Sequence, residues 1–211
     1  SADSIDALAR SLDAFGGVDV LVQNAGFGIF GAAECIDEES AQRQFNVNLF
    51  GPLALVRRLL PQLRQRRGRI IWIGSLAGRF ALPFQAHYSA SKAAVAAMSD
   101  ALRLELSPFG IQVTCVEPGD FATGFTSARQ SQRDTSGLYE ARLRRCLANV
   151  ERDERQGASP DLLAQKVVAL CEMRALPAHV PVGANARLIC LLDWLIPRRL
   201  REWAIRRLYE V

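Results

Sequence analysis

No apolar run in this 211-residue chain approaches the 18 or more residues that a membrane-spanning helix needs. Its first ten residues carry Asp3 and Asp6 and no apolar core segment, so they do not read as a secretory signal. The five cysteines, Cys35, Cys115, Cys146, Cys171 and Cys190, are odd in number and include no CxxC pair. Reduced thiols in a cytoplasmic protein are expected, with no disulfide framework and no metal site. Lysine occurs only at Lys92 and Lys166, so arginine is the chain's ordinary cation. Much of the net charge of +4 sits in Arg198, Arg199, Arg201, Arg206 and Arg207. A solvated basic helix face is expected there, in preference to a nucleic-acid or phospholipid site. With 49% hydrophobic and 23% charged residues, the chain is neither disordered nor fibrous.

What is present alternates. Ser4 to Phe15 reads as an amphipathic helix with Ile5, Leu8, Leu12 and Phe15 on one face, stopped by Gly16-Gly17. Val18 to Val22 reads as a buried strand, and a long helix is expected from about Asp37 to Arg67. Arg69 to Ile73 is the second strand, Tyr88 to Ser107 the next helix, and Ile111 to Val116 the third strand. Thr123 to Gly137 is polar and reads as a mobile loop or lid. Helices follow at Leu138 to Arg155 and Pro160 to Arg174, then a weak strand at His179 to Val182 and one amphipathic helix, Arg187 to Tyr209.

Such alternation builds a parallel sheet covered on both faces. Right-handed crossovers bring the carboxyl ends of its strands to one edge, where ligands bind. Asn24-Ala25-Gly26, Gly74-Ser75 and Pro118-Gly119 are therefore expected to meet in space. The run Gly26 to Gly31 spells GxGxxG, but no helix signal opens on Gly31, so a loop is expected there rather than a dinucleotide fingerprint.

Tyr88 and Lys92 lie four residues apart at a helix start and share a face. A phenol of pKa about 10 is a poor proton carrier at neutral pH, and a neighbouring ammonium favours its ionised form. Ser75 ends a strand thirteen residues before Tyr88 and is expected at the same edge. Pro52, four residues after Asn48, has no N–H to offer the Asn48 carbonyl, which leaves that carbonyl free for a water; a simple helix kink is the other reading. His87, Trp72 and Cys115 read as packing residues. Phe27, Phe30, Phe80 and Phe84 read equally as an apolar pocket or as core.

Ser75, the run Tyr88-Ser89-Ala90-Ser91-Lys92, the Asn24-Ala25-Gly26 turn, Asn48 within Asn46 to Gly51, and Pro118 to Thr123 together resemble the short-chain dehydrogenase/reductase family. The resemblance implies a Rossmann-like, doubly wound α/β fold. It makes Tyr88 the proton carrier, Ser75 the partner of the substrate oxygen, Lys92 the holder of the nicotinamide ribose, and Asn48 the holder of a water in a proton relay. It also places Asn24, Ala25 and Gly26 under the adenosine side of the cofactor, and Pro118, Gly119, Phe121 and Thr123 around the nicotinamide. The cofactor implied is NADP or NAD, with NADP slightly favoured.

The family's glycine-rich turn, TGxxxGxG, is not in this sequence. The expectation is one domain over residues 1–211, N-terminally incomplete, with the first half of the sheet missing and a substrate loop and lid helix at about 123–158. The expected substrate is a small lipophilic alcohol or ketone, as for the hydroxysteroid and retinol branch. No nucleic acid and no membrane span are expected, and a homodimer or homotetramer is. The alternative is a non-catalytic relative acting as a binding or assembly module.

Overall fold

Helical and β-branched segments alternate to give, in a computed structural model that describes residues 2–209, a four-stranded parallel sheet between layers of helices. In chain order the elements are α1 (Ala2–Ala14), β1 (Val20–Gln23), β2 (Ile29–Phe30), α2 (Glu38–Phe45), a π turn (Asn46–Phe50), α3 (Gly51–Arg66), β3 (Arg69–Ile73), α4 (Ala86–Leu106), β4 (Gln112–Pro118), α5 (Phe125–Ala128), β5 (Gln130–Ser131), α6 (Glu140–Arg155), α7 (Pro160–Glu172), β6 (His179–Val182), α8 (Ala186–Leu195) and α9 (Arg198–Tyr209). The sheet runs β1-β3-β4-β6, with Val22 opposite Ile71, Trp72 opposite Cys115 and Cys115 opposite His179.

Alternate residues of each strand point to opposite faces, and both faces are apolar. Ile70, Trp72, Val113 and Cys115 pack against Val56, Leu59 and Leu63 of α3 and Val95 and Leu102 of α4. Ile71, Val116, Val180 and Val182 pack the other way, against Leu170 of α7. Each of these fully buried side chains contributes roughly 2 kcal/mol of transfer free energy. The carboxyl ends of β1, β3, β4 and β6 meet at one edge, as the alternation implies.

Four local expectations differ from what is observed. Phe15 lies outside the apolar face of α1 and is 90% exposed, because the helix ends at Ala14 and Gly16 and Gly17, both at positive φ, turn the chain away. The long helix has the expected extent, capped by Asp37 accepting from the Ser40 N–H at 2.7 Å, but it carries a π turn at its centre. The polar segment after Thr123 is structured: it forms α5 and then β5, which pairs in parallel with β2. Its polar side chains hold its own backbone, Asp134 accepting from the N–H groups of Ser136, Gly137 and Tyr139. The final helix is broken in two, because Pro197 drives Ile196 into an extended conformation.

Candidate active site

The site is built where β3 ends. Ile73 is followed by Gly74 and Ser75, which is fully extended and caps a short 3-10 turn by accepting from the Ala77 N–H at 3.1 Å. This turn lies directly on α4. A methyl group on Gly78 would come within 2.8 Å of the Lys92 carbonyl carbon, so only glycine allows the two backbones to approach so closely. The packing puts the Ser75 hydroxyl within hydrogen-bonding reach of the Tyr88 phenol. Lys92, one turn further along α4, donates from Nζ to the Ile73 carbonyl at 2.8 Å and stands 6.0 Å from the Tyr88 ring centre.

Tyr88 and Lys92 are both buried, at 9% and 5% exposure. Burial pushes the Tyr88 phenol up to about 12, although the Ser75 hydrogen bond pulls it down. Burial pushes the Lys92 ammonium down to about 8. The sign for Tyr88 is opposite to the one expected from a neighbouring cation, because desolvation of the buried phenol outweighs the Ser75 hydrogen bond and the Arg129 charge that lower it. At neutral pH Tyr88 is a protonated acid.

Asn48 reaches the same place from the π turn. There the Gly51 N–H returns to the Asn46 carbonyl, an extra residue is accommodated, and Asn48 and Leu49 turn inward. The Asn48 side chain holds Phe27 from both sides: Oδ1 accepts from the Phe27 N–H at 3.0 Å, and Nδ2 donates to the Phe27 carbonyl at 3.0 Å. Nδ2 also donates to Ser91 Oγ at 3.0 Å, which ties the π turn to α4. A Cβ on Gly26 would sit 3.2 Å from Asn48 Oδ1 and 3.5 Å from Lys92 Nζ. The exposed turn Asn24-Ala25-Gly26 thus passes directly over the Asn48 and Lys92 side chains. Pro52 follows the π turn, and its carbonyl accepts from Gln23 Nε2 at 3.0 Å.

The segment after β4 completes the edge. The Gly119 N–H donates to the Val182 carbonyl at 2.9 Å, and the Ala158 N–H donates to the Asp120 carbonyl at 3.0 Å. Phe121 is buried, while Thr123 is exposed and accepts from the Phe125 N–H at 3.1 Å. Gly157 makes this seat possible: a Cβ there would fall 2.5 Å from the Asp120 carbonyl carbon.

Behind Pro118 lies a charged cluster that sequence reasoning missed. Glu117 is 1% exposed and accepts from Arg79 Nε at 2.9 Å on both oxygens. It also bonds to His179 Nδ1 at 3.0 Å, and His179 Nε2 reaches Asp100 at 2.9 Å. Burial alone would raise Glu117, but hydrogen bonds from His179 and Arg79 hold it below the usual carboxylate range. Hydrogen bonding to Cys115 and to Glu117 pushes His179 up to about 10. Cys115, Glu117 and His179 are the one grouping among the described residues with the spacing of metal ligands. Their donor atoms are already engaged with Arg79, Asp100 and one another, so the cluster is electrostatically closed as an ion-pair chain. No signal in the one-dimensional sequence joins Arg79, Asp100, Glu117 and His179, which come from four separate elements.

The wall over Tyr88 is aromatic. Phe125 packs on its ring at 5.6 Å between centres, and a separate aromatic group, Phe30, Phe84 and Tyr139, is spaced at about 6 Å. Phe30 is fully buried with Cys146 and Val150 of α6. A cleft of about 550 Å³ opens beside Thr123, lined by Thr126, Ser127, Arg129 and Arg155. Arg129 is buried there in an ion pair with Glu154. The Gly26 to Gly31 run forms a loop and the short β2, and no helix opens on Gly31.

Residues 1–134 match the short chain dehydrogenase family. The chain is 37% identical over 210 residues to a 3-ketodihydrosphingosine reductase of Bacteroides thetaiotaomicron, covering 97% of this chain and 78% of that protein. It superposes on a short-chain dehydrogenase from Streptomyces avermitilis with a TM-score of 0.79 and 33% identity, over 97% of this chain and 75% of the other. An alcohol dehydrogenase from Thermococcus sibiricus, complexed with 5-hydroxy-NADP, shares the fold at a TM-score of 0.69 and 22% identity, over 87% of this chain and 70% of the other.

Proposed function

The chain belongs to the short chain dehydrogenase family, and on that premise we propose that it is an NAD(P)-dependent oxidoreductase acting on a secondary alcohol or ketone of lipophilic character. The observation that carries the reading is the buried Tyr88 phenol. It holds its proton up to about pH 12, within reach of Ser75, one helical turn from a buried Lys92. The nicotinamide end of a dinucleotide suits the residues present: Gly26 leaves space beside Asn48 and Lys92 that a Cβ would fill, and the Gly119 backbone lies at the sheet edge. Asn24, Ala25 and Gly26 hold its adenosine side, Lys92 its ribose, and Pro118, Gly119, Phe121 and Thr123 its carboxamide. NADP is proposed ahead of NAD.

Bound nicotinamide supplies or accepts the hydride at the carbonyl carbon. In reduction, Tyr88 gives its phenolic proton to the carbonyl oxygen, and in oxidation it takes that proton back. Ser75 hydrogen-bonds the same oxygen and steadies the charge that develops on it. Lys92, while protonated, stabilises the phenolate that Tyr88 becomes. Asn48 keeps the Gly26–Phe27 turn seated and holds a water toward Lys92. The Phe125 ring against Tyr88 favours an apolar substrate, over which the segment from Thr123 to Ala158 closes and excludes water.

The long helices, α2 with α3 and α4, are the proposed subunit contact; Phe50 and Leu104, 50% and 77% exposed, support it. Five free thiols support a reducing cytoplasmic setting, and no described helix is long and apolar enough to cross a membrane. The test is NADPH oxidation by the full chain with a long-chain β-keto amphiphile and with acetone. Faster turnover of the amphiphile is expected. Inactivity on all ketones despite dinucleotide binding would replace the enzyme with a binding module.

A further inference from the structure

An amphipathic helix in a folded domain turns its apolar face inward. The pair α8 and α9 instead leaves most of its large apolar side chains in solvent. Leu188, Leu192 and Leu195 recur at helical spacing along α8 and are 52%, 41% and 59% exposed. Trp194 is 83% exposed, and Trp203 on α9 is 57% exposed. Among the half-buried positions, beside Cys190 and Ile205, Asp193 and Arg201 pair across the break at Pro197 and tie the two helices together.

Charge follows the same segment. Residues 186–209 hold six arginines against two carboxylates, which equals the whole net charge of +4; the rest of the chain is balanced. Arg198 pairs with Glu202 and Arg201 with Asp193. Arg187, Arg199, Arg206 and Arg207 have no carboxylate partner among the described residues. Arg207 instead lies 5.9 Å from the Trp203 ring centre.

We propose that α8 and α9 form a peripheral docking surface for an anionic lipid bilayer, with the leucines and tryptophans entering the interface and the free arginines meeting lipid phosphates. Exposed leucine and tryptophan beside arginine on short helices is the composition of an interfacial helix. Charge complementarity favours this occupant over a second copy of the chain. A two-fold contact through this patch would set arginine against arginine. The location adds a consequence: Tyr209, at the end of α9, packs in the cluster with Phe30, Phe84 and Cys146. The docked face is thus joined to the apolar cluster between β2 and α6. This surface replaces the solvated basic face expected from the sequence, and it does not depend on the reaction proposed above.

The test is co-sedimentation of the full chain with mixed phosphatidylglycerol–phosphatidylcholine vesicles and with pure phosphatidylcholine vesicles, together with tryptophan emission. Binding to the anionic vesicles, weakened by salt and accompanied by a blue shift, is expected. The double variant Leu192→Glu/Leu195→Glu is expected to lose about tenfold or more in affinity, and Arg199→Ala/Arg206→Ala to lose the preference for anionic lipid. Both leave turnover of a water-soluble ketone without vesicles unchanged, so the reaction is read separately. No partition into anionic vesicles would overturn the proposal. So would equal binding to neutral ones, or a dimer that Leu192→Glu/Leu195→Glu dissociates while vesicles go unbound.

Discussion

Replacing Glu117 with glutamine keeps the shape of the buried side chain and removes its charge. Arg79 and His179 then face an amide in place of the carboxylate that bonds both of them at 2.9 to 3.0 Å. Removing one partner of a fully buried ion pair costs about 3–5 kcal/mol. Arg79 and His179 are 31% and 23% exposed and recover part of their hydration, which places the cost near the lower limit. At about 2–4 °C of melting temperature per kcal/mol for a domain of this size, a loss of about 3 kcal/mol lowers Tm by roughly 6–12 °C. The pH dependence carries a second signature. His179 is raised from its ordinary 6.5 to about 10, so its stabilisation is complete below pH 6.5 and is lost as pH rises through 10. Glu117 is lowered, so its contribution is lost on acidification through its folded pKa. Thermal melts of wild type and Glu117→Gln across pH 5–10 read both, and the variant is expected to lose the part of the alkaline decline that Glu117 causes, while Cys115 and Asp100 keep the rest. A Tm within about 2 °C of wild type, with an unchanged pH profile, would refute the claim that this cluster anchors the end of β4.

Three other outcomes follow from the site. The reductive rate is expected to stay flat while Lys92 is charged and to fall as pH rises through about 8, since the ammonium is lost there while Tyr88 remains protonated; a break only near 10 would contradict the burial argument. Gly157→Ala drives a methyl into the Asp120 backbone at 2.5 Å, so dinucleotide affinity measured by fluorescence is expected to fall about tenfold or more, with overpacking costing about 1–3 kcal/mol of stability. Asn48→Ala frees the Phe27 N–H and leaves the Phe27 carbonyl to Gln44 Nε2 alone, and a loss of about 1–3 kcal/mol on chemical denaturation, with reduced turnover, is expected.

Periodicity and turn residues made the alternation of strands and helices, the parallel sheet and the meeting of Gly74-Ser75 with Pro118-Gly119 legible in advance. Arg69 to Ile73 is a strand over its full expected length, because an apolar β-branched run between Gly68 and Gly74 has few alternatives. The π turn was not legible: helical spacing through Asn46 to Phe50 is ordinary, and only the inward packing of Asn48 reveals the extra residue. The parallel pairing of β5 with β2 joins segments a hundred residues apart that are each two residues long. Local propensity carries no such information. The helix break at Pro197 had a visible cause that the amphipathic pattern on either side concealed. At the site, residue types and spacing brought Ser75, Tyr88 and Lys92 together on paper, and the family resemblance added Asn48. The direction of the Tyr88 shift needed burial, which spacing does not report.

The measurement closest to the central claim is transfer of deuteride from labelled NADPH to a ketone by wild type and by Tyr88→Phe, with dinucleotide binding followed in parallel. Phenylalanine fills the same buried space and removes only the acid. Binding is expected to persist while transfer falls by about a factor of 10² to 10⁴. Equal transfer by both proteins would mean that the proton comes from elsewhere and that Tyr88 is only part of the core.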